Sequence, residues 1–174
     1  MEPTHSALIL AVGEAEPAVS AHRERLDAAA GWGVPAHITV LYPFLAPHDL
    51  DEQVLAALTG VAASVPAFFC TLERVDWFGD NVVWLAPAPA TPIVTLTAAV
   101  AARFPQVQPY GGQFTDIVPH LTIGHDHPRD VLQAAAADVT RHLPIHARVD
   151  ALRLITGRPE PGRSWHTLAE FPLG

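Results

Sequence analysis

The chain has 174 residues, of which 49% are hydrophobic and 16% charged, and this composition predicts one globular domain with a full core rather than a disordered polypeptide. Its ten basic residues are all arginines, and with 18 acidic residues they give a formal net charge of −8, which disfavours an extensive nucleic-acid surface. The sequence shows neither a signal-peptide pattern nor a run of roughly 20 apolar residues, so we expect a cytoplasmic protein without membrane contact.

Hydrophobic periodicity predicts alternating strands and helices in the first half of the chain. The predicted elements, in order, are a strand, a helix, a strand, a helix and a β-hairpin, over residues 6–12, 16–30, 36–42, 49–64, and 68–76 with 81–85. The hairpin turn is expected at Gly79, Asp80 and Asn81, residue types that suit tight turns. Charged side chains of the first helix are expected on a solvent-exposed face; they are Arg23, Glu24, Arg25 and Asp27.

The second half repeats the alternation. The predicted elements are a helix, a long loop, a strand, a helix and two strands, over residues 93–104, 105–119, 120–124, 129–142, 147–156 and 165–173. The loop is rich in Pro and Gly, and loops of this length often border functional sites. Cys70 is the single cysteine, so no intrachain disulfide can form, and we expect it to be a buried apolar residue.

One short motif occurs twice, as His37-Ile38-Thr39 and as His120-Leu121-Thr122. Each copy lies in an apolar run predicted to be a strand, where residues i and i+2 share a face. An imidazole and a hydroxyl would therefore project together from each copy. Two such faces in opposition would supply two groups able to exchange protons near neutral pH and two hydroxyls able to bind a tetrahedral anion. Acid-base cleavage of a phosphodiester needs such groups.

The spacing of the two copies predicts an internal repeat. The second histidine follows the first by about half the chain length, and each motif strand, near 36–42 and 119–124, precedes a helix. Duplication of an α/β unit is the simplest explanation. We therefore expect residues 1–174 to form one domain built from two similar halves.

Longer segments around both motifs resemble the two-histidine (2H) phosphoesterases, in the bacterial 2′-5′ RNA ligase-like and cyclic phosphodiesterase branch. The resemblance extends over nearly the whole chain. The segments that carry it are His37-Ile38-Thr39-Val40 with Leu41-Tyr42-Pro43-Phe44, Pro119-His120-Leu121-Thr122-Ile123-Gly124, Val83-Trp84-Leu85, and the terminal Ala169-Glu170-Phe171-Pro172-Leu173-Gly174. It implies an α+β fold of two pseudo-symmetric lobes, each an antiparallel-rich sheet flanked by helices, with both H-x-T motifs in a central cleft.

The resemblance also implies an activity. The expected enzyme is a metal-independent phosphodiesterase for 2′,3′-cyclic phosphates or 2′-5′ linkages of nucleotides or short RNA ends, with 2′-5′ ligation as the reverse reaction and no cofactor. His37, His120, Thr39 and Thr122 are the expected catalytic residues. By analogy with the family, His120 is the base and His37 the acid, and a cyclic end yields a 2′-phosphate. Because the site is symmetric, the roles can exchange in the reverse direction.

Residues near the motifs are candidates for substrate binding. The aromatic side chains of Tyr42, Tyr110 and Phe114 could stack on a base, although core packing or loop anchoring explains such residues equally well. Arg158 and Arg163, in the last turn, are candidate phosphate ligands, with a solvated turn as the alternative. The family often places a basic residue after the second motif. This chain has His125 there, a further candidate for phosphate binding.

A metal site is a competing interpretation of the second motif. His120, His125, His127 and Asp126 have side chains that bind divalent ions. The offset of five residues between His120 and His125 would direct them to opposite faces of a regular strand, which disfavours shared coordination. We therefore expect no metal.

Two further functions remain open on the sequence alone. The chain could be a noncatalytic module that binds nucleotides or RNA ends, or a phosphodiesterase for a cyclic oligonucleotide signal or an ADP-ribose cyclic phosphate. Loss of the measured effect on replacing His37 separates catalysis from binding, and chelation separates a metal-dependent hydrolase from both.

Overall fold

The computed structural model describes residues 1–107 and 116–174. Within these residues the strands are β1 (His5–Ala11), β2 (His37–Leu41), β3 (Phe68–Phe78), β4 (Val82–Ala88), β5 (Leu121–His125), β6 (Ile145–Val149), β7 (Ala151–Gly157) and β8 (His166–Pro172). The α-helices are α1 (Glu16–Leu26), α2 (Ala28–Trp32), α3 (Glu52–Ala63), α4 (Thr91–Arg103) and α5 (Arg129–Thr140). None of these helices is long and apolar enough to cross a membrane.

The strands form two antiparallel four-stranded sheets. The first sheet has the order β2-β1-β7-β8, and the second has the order β5-β4-β3-β6. Helices α3 and α4 pack against the first sheet, and α1 and α5 against the second. This arrangement confirms the predicted α+β class. Both H-x-T strands, β2 and β5, are edge strands, and they contact each other.

The two sheets exchange elements between the halves of the chain. Strand β1 belongs to the first sheet, but the helix α1 that follows it packs on β5 of the second. Strand β4 belongs to the second sheet, but the following α4 packs on β2 of the first. One continuous core joins both sheets through fully buried residues such as Leu8, Leu85 and Leu121. Each lobe therefore depends on sequence from both halves.

The predicted helix over 16–30 is wrong in one respect, because Asp27 divides it. Asp27 has extended backbone angles, φ −121° and ψ 112°, and its side chain accepts the backbone N–H of Ala29 at 3.2 Å to start α2. Gly33, at φ 99°, ends α2 in the left-handed region that favours glycine. The expected solvent-exposed face is also wrong for two residues, since Arg23 and Asp27 are buried.

The single strand predicted over 147–156 is two strands in different sheets. Strand β6 pairs with β3 in the second sheet, and β7 pairs with β1 in the first. The exposed Asp150 separates them. Burial alternates along β6, whereas four consecutive residues at the end of β7 are buried. A window of continuous apolar character cannot distinguish two such strands in sequence.

Candidate active site

The first motif lies on the edge strand β2. Ile38 and Val40 are buried in the core, while His37 and Thr39 lie on the opposite face and line a cavity. The Nδ1 atom of His37 lies 2.7 Å from the carbonyl oxygen of Pro35. Because a carbonyl can only accept, this contact requires a proton on Nδ1. The neutral ring then keeps its lone pair on Nε2, available for proton transfer.

The second motif has the same local geometry. His120 directly precedes β5, Thr122 lies within it, and Leu121 and Ile123 are fully buried. The Nδ1 atom of His120 lies 2.9 Å from the carbonyl oxygen of Val118. In both motifs, therefore, the histidine donates Nδ1–H to the carbonyl two residues earlier, and both rings have the same tautomer.

A β-bulge follows each motif and changes the direction of the later side chains. In β2, Ile9 pairs with Thr39 and Leu8 with Leu41, so Val40 is the extra residue. Val40 and Leu41 both enter the core, and Tyr42 then reaches the same face as Thr39. The side chain of Tyr42 consequently lines the cavity.

The bulge in β5 is equivalent. Trp84 pairs with Thr122 and Val83 with Gly124, so Ile123 is the extra residue. A Cβ at Gly124 would lie 2.7 Å from Leu26, which shows that this position faces the packed core.

The prediction that His120 and His125 lie on opposite faces of a regular strand is therefore wrong. His125 lines the same cavity as Thr122, because the bulge breaks the regular alternation on which that prediction depended. Among the described residues, no group of three or more His, Cys, Asp or Glu side chains is arranged to hold a metal ion.

The two motifs meet at a cleft between the edge strands, with a volume of about 240 Å³. The polar side chains that line it include His37, Thr39, Thr122 and His125. His120 lies close enough for its charge to lower the pKa of His37. The structure thus brings His37, Thr39 and Thr122 together at the cleft and places His120 near His37, although His120 is not among the residues that line the cleft.

Both motif histidines favour their neutral forms. The pKa of His37 is lowered to about 4, first by burial and then by the nearby Arg23 charge, against the opposing effects of Pro35 and Asp27. Burial also lowers the pKa of His120, opposed by its hydrogen bond to Val118. Phe78 and Trp84 surround that ring, with centroids 5.0 Å and 5.7 Å from it. Each ring can therefore accept a proton on Nε2 in the free protein.

Beside the cleft, His125 belongs to a charged cluster that joins strand β5 to the junction of α1 and α2. Its Nε2 lies 3.5 Å from Asp27 Oδ1, and its Nδ1 lies 3.1 Å from Asp126 Oδ2. The pKa of His125 is raised to about 9, first by the Asp27 carboxylate beside Nε2 and then by Asp126, against the opposing effect of burial. Burial raises the pKa of Asp27, but His125 and Arg23 outweigh it and the pKa is lowered overall. His125 is accordingly a cation at neutral pH.

An aromatic wall, formed by Trp32, Tyr42 and Trp165, lines the cleft on the side of the first sheet. The Trp32 and Trp165 rings stack with centroids 6.2 Å apart, and Tyr42 meets Trp165 edge-on at 6.0 Å. The Trp165 backbone N–H donates to Trp32, and its indole N–H donates to the Arg158 carbonyl at 2.8 Å. These bonds fix a planar apolar surface beside the motifs.

The remaining candidates lie elsewhere. Arg158 pairs with Glu160 at 2.7 Å, and Arg163 pairs with Glu24 at 3.2 Å. Neither arginine lines the cleft. Tyr110 and Phe114 lie outside the described residues.

A family model for the 2′-5′ RNA ligase superfamily matches residues 5–159 of the chain. The chain belongs to this superfamily. The match spans both motifs and most of both sheets, and it confirms the family that the sequence resembles. The 2′-5′ RNA ligase superfamily is one of phosphoesterases and ligases, which establishes that general class of enzyme for this member. A search of functionally curated proteins finds no match.

Solved structures support the fold of this superfamily member. Escherichia coli LigT, crystallised with 3′-AMP, is 19% identical, with 99% of each chain covered and a TM-score of 0.59. The protein TT0787 of Thermus thermophilus is 16% identical, with 97% of each chain covered and a TM-score of 0.66. Further LigT structures contain phosphate and ATP, at 20% and 17% identity, 99% coverage of both chains and TM-scores of 0.59 and 0.57.

Sequence reasoning missed three residues that line this superfamily member's cleft, namely Asp27, Trp32 and Trp165, and the buried Arg23 that pairs with Asp27. The spacing of Arg23 and Asp27 is the i, i+4 spacing of a helical ion pair, which is common on exposed helices. One signal pointed to Asp27, since Asp before Ala28 suits a helix N-cap. Nothing in the sequence pattern placed the two tryptophans together.

Proposed function

We propose that the protein is a metal-independent phosphodiesterase that hydrolyses a 2′,3′-cyclic phosphate or a 2′-5′ phosphodiester by two-histidine acid-base catalysis. The observation that carries this proposal is the matched pair of Nδ1-protonated histidines, His37 and His120, at the starts of two edge strands that contact each other. Two imidazoles can supply both proton transfers. The reaction as proposed therefore requires neither a metal nor a covalent intermediate.

In the proposed step, a water oxygen forms a bond to phosphorus while the bond from phosphorus to a ribose oxygen breaks. One imidazole takes the proton of the water on Nε2. The other, in its protonated form, donates a proton to the departing ribose oxygen. The anionic phosphate raises the pKa of a nearby imidazole, which provides the acid that the free protein lacks at neutral pH. The net reaction adds one water across the phosphodiester.

Thr39 and Thr122 complete the proposed site. Both hydroxyls lie on the cleft face, two residues from the histidine of the same motif. Hydroxyl donors in this position suit the nonbridging oxygens of the phosphate, which gain charge in the transition state. The threonines would thus hold the phosphorus between the two imidazoles.

The assignment of acid and base follows from two arguments that oppose each other. The family resemblance implies that His120 is the base and His37 the acid. The lower pKa of His37 in the free protein favours His37 as the base. The symmetric chemistry permits both directions, and the ligating direction would exchange the roles. A leaving-group experiment, described below, separates the two assignments.

A nucleotide or a short RNA end is the substrate class that the cleft supports. LigT has been crystallised with 3′-AMP, phosphate and ATP, so a protein of this fold accommodates nucleotides. The aromatic wall offers a surface on which a nucleobase can stack. The net charge of −8 disfavours a long RNA footprint.

The test is turnover of nucleoside 2′,3′-cyclic phosphates and 2′-5′ dinucleotides in EDTA, with the product isomers identified. We expect turnover by the wild type and a loss of about 10² to 10⁴-fold in His37→Ala and His120→Ala, typical of a lost proton-transfer group. His48→Ala is a matched control, because the His48 side chain is 82% exposed and remote from the cleft lining. Turnover that survives in both motif variants, or that EDTA abolishes, would overturn the proposal. Binding without turnover on the whole panel would favour a noncatalytic module.

A further inference from the structure

The proposed proton transfers do not use the most deeply buried charges near the cleft. Arg23 and Asp27 are 3% and 7% exposed, and they lie where the predicted long helix breaks. Asp27 extends from this break toward His125 in β5, the strand on which α1 packs. A buried carboxylate and guanidinium at a helix break carry a large desolvation cost, which favours a specific role over a structural accident.

Arg23 holds the Asp27 carboxylate on the side away from the cleft. The Arg23 Nε donates to Asp27 Oδ2 at 3.0 Å, and Nη1 donates to the carbonyl of Val34 at 3.1 Å. Nη2 also lies 3.0 Å from Oδ2, although it makes no hydrogen bond of good geometry within the described residues. With Oδ2 fixed by Arg23, the other oxygen, Oδ1, is the one that faces His125.

His125 lies between two unequal carboxylates. Asp27 faces Nε2 with a side chain that is 5% exposed, while Asp126 faces Nδ1 with one that is 70% exposed. Water and salt screen the exposed carboxylate, but they screen the buried one far less. Asp27 is therefore the stronger restraint on the orientation and charge of the ring. With both nitrogens directed at carboxylates, the ring presents its positive charge to the cleft rather than a free N–H.

We propose that Asp27 is a positioning residue, which clamps His125 as the fixed cation that faces the substrate phosphate. This inference rests on the proposed function. No arginine lines the cleft among the described residues, and residues 108–115 contain no charged side chain. Asp27 thus allows histidine to take the role of a permanent positive charge.

The charged groups around His125 support this division of roles. Helix α1, the junction between α1 and α2, strand β2 and the turn after β5 supply these groups, which are Arg23, Glu24, Arg25, Asp27, His37, Asp126 and His127. The interaction of Nε2 with the Asp27 carboxylate is the largest influence that raises the pKa of His125. Removing this carboxylate should therefore lower the pKa of His125, whereas removing Asp126 should lower it less.

The test is the pH profile of kcat/KM on a nucleoside 2′,3′-cyclic phosphate, in which the lowered pKa values of His37 and His120 cause the fall near neutral pH and loss of the His125 proton steepens it into a separate alkaline limb. In the wild type, His125 keeps its proton until the pH approaches about 9. In Asp27→Asn, we expect the alkaline limb to move to lower pH, with a loss on the order of tenfold at pH 8, since each unit between pH and pKa is a factor of ten. A merely structural defect would lower activity by the same factor at every pH.

A second substitution that restores the lost positive charge provides the decisive comparison. In Asp27→Asn/His125→Arg, the guanidinium stays charged at all accessible pH, so the alkaline limb should return toward the wild-type position. Asp126→Asn is the matched control for a carboxylate that touches the same ring, and we expect a smaller displacement. An unmoved limb in Asp27→Asn, or a limb that His125→Arg leaves displaced, would overturn the inference.

Two further measurements keep this result separate from folding and from the proposed function. Asp27→Asn leaves the buried Arg23 guanidinium without its carboxylate partner, and Arg23→Gln/Asp27→Asn removes that charge too. The double variant should show the same displaced alkaline limb, and circular dichroism checks its fold. NMR titration of the His125 ring, with and without inorganic phosphate, needs no turnover. A His125 pKa that falls in Asp27→Asn, together with phosphate binding that weakens at pH 8, supports the inference even if no cyclic phosphate is hydrolysed. An unchanged titration overturns it.

Discussion

Tyr42 and His125 occupy equivalent positions, each five residues after its motif histidine and each brought to the cleft by a β-bulge. The two H-x-T copies are alike in sequence, tautomer and main-chain hydrogen bond. These two following residues are not alike, since one is aromatic and the other is a cation. They give a nearly symmetric site two chemically different ends, so a substrate with one base and one phosphate would bind in a single direction.

The hydroxyls of Thr39 and Thr122 should each contribute to the transition state. Thr39→Val and Thr122→Val keep the shape and remove one donor, and we expect kcat to fall about 10 to 100-fold in each with little change in KM. Steady-state kinetics on a cyclic phosphate measure this. Thr59→Val, at an exposed position of α3, is the control. A threonine variant that changes KM alone would show that the hydroxyl only binds the substrate.

A good leaving group should separate the acid from the base. Protonation of the departing oxygen matters little for a leaving group whose conjugate acid has a low pKa, such as p-nitrophenolate. With a p-nitrophenyl phosphodiester, the variant that lacks the acid should recover most of its loss, while the variant that lacks the base should not. The loss of activity in His37→Ala and in His120→Ala, compared between the cyclic phosphate and the p-nitrophenyl phosphodiester, shows which histidine is the acid and which is the base. Equal recovery in both would contradict a division of labour between the two rings.

Trp32 should stack on the nucleobase of the substrate and should not contribute to binding of the phosphate. It lies in the aromatic wall and lines the cleft. We expect Trp32→Ala to raise KM for nucleoside cyclic phosphates about 5 to 100-fold, from loss of a stacking surface worth about 1–3 kcal/mol. A ribose cyclic phosphate without a base should show no such change, and Trp32→Phe should retain most of the affinity. An equal effect on both substrates would indicate a packing defect instead.

Stability should peak near pH 6 to 7, because His37 and His125 titrate in opposite senses. The pKa of His37 falls from 6.5 to about 4 on folding, so the unfolded chain binds more protons between these values, and stability is lost as the pH falls through this window. The expected loss is on the order of 2–3 kcal/mol. The pKa of His125 rises from 6.5 to about 9, so its contribution is full below 6.5 and is lost as the pH rises toward 9.

Denaturant unfolding at pH 4.5, 6.5 and 9 measures both limbs of this curve. His37→Gln should flatten the acidic limb, and His125→Gln should flatten the alkaline one. A free energy of unfolding that is independent of pH in the wild type would contradict both assignments.

Gly157→Ala should destabilise the aromatic wall. A Cβ at this position would lie 2.5 Å from Cγ of Trp165 and 2.7 Å from its Cα, and the backbone atom cannot easily move away. We expect a loss of about 1–3 kcal/mol, as for other overpacked sites. Gly60→Ala is the opposite control, because a Cβ in the middle of α3 meets nothing within 4 Å and should stabilise the helix by about 0.5–1 kcal/mol. Thermal unfolding measures both changes in stability, a loss for Gly157→Ala and a gain for Gly60→Ala.

The sequence predicted most of the fold because its signals are local. Alternation placed His37 and Thr39 on one face, and turn residues marked the β3–β4 hairpin. The errors occurred where one residue interrupts a helix, shifts the alternation of side chains along a strand, or separates strands that pair in different sheets. Asp27 breaks a helix that periodicity continues, and Asp150 separates strands that join different sheets. The bulge at Ile123 turns His125 into the cleft, against a phase rule that assumes a regular strand.

The exchange of elements between the two sheets has a mechanical consequence. Because α1 and α4 each connect strands of one sheet while packing on the other, packed helices hold the lobes together in addition to the connections from β2 to β3 and from β6 to β7. Opening the cleft widely would require separating helices from the continuous core. The spacing of the two imidazoles is therefore a property of the whole fold, and a cut of the polypeptide between the motifs would leave two pieces that rebuild the spacing only by reassociating.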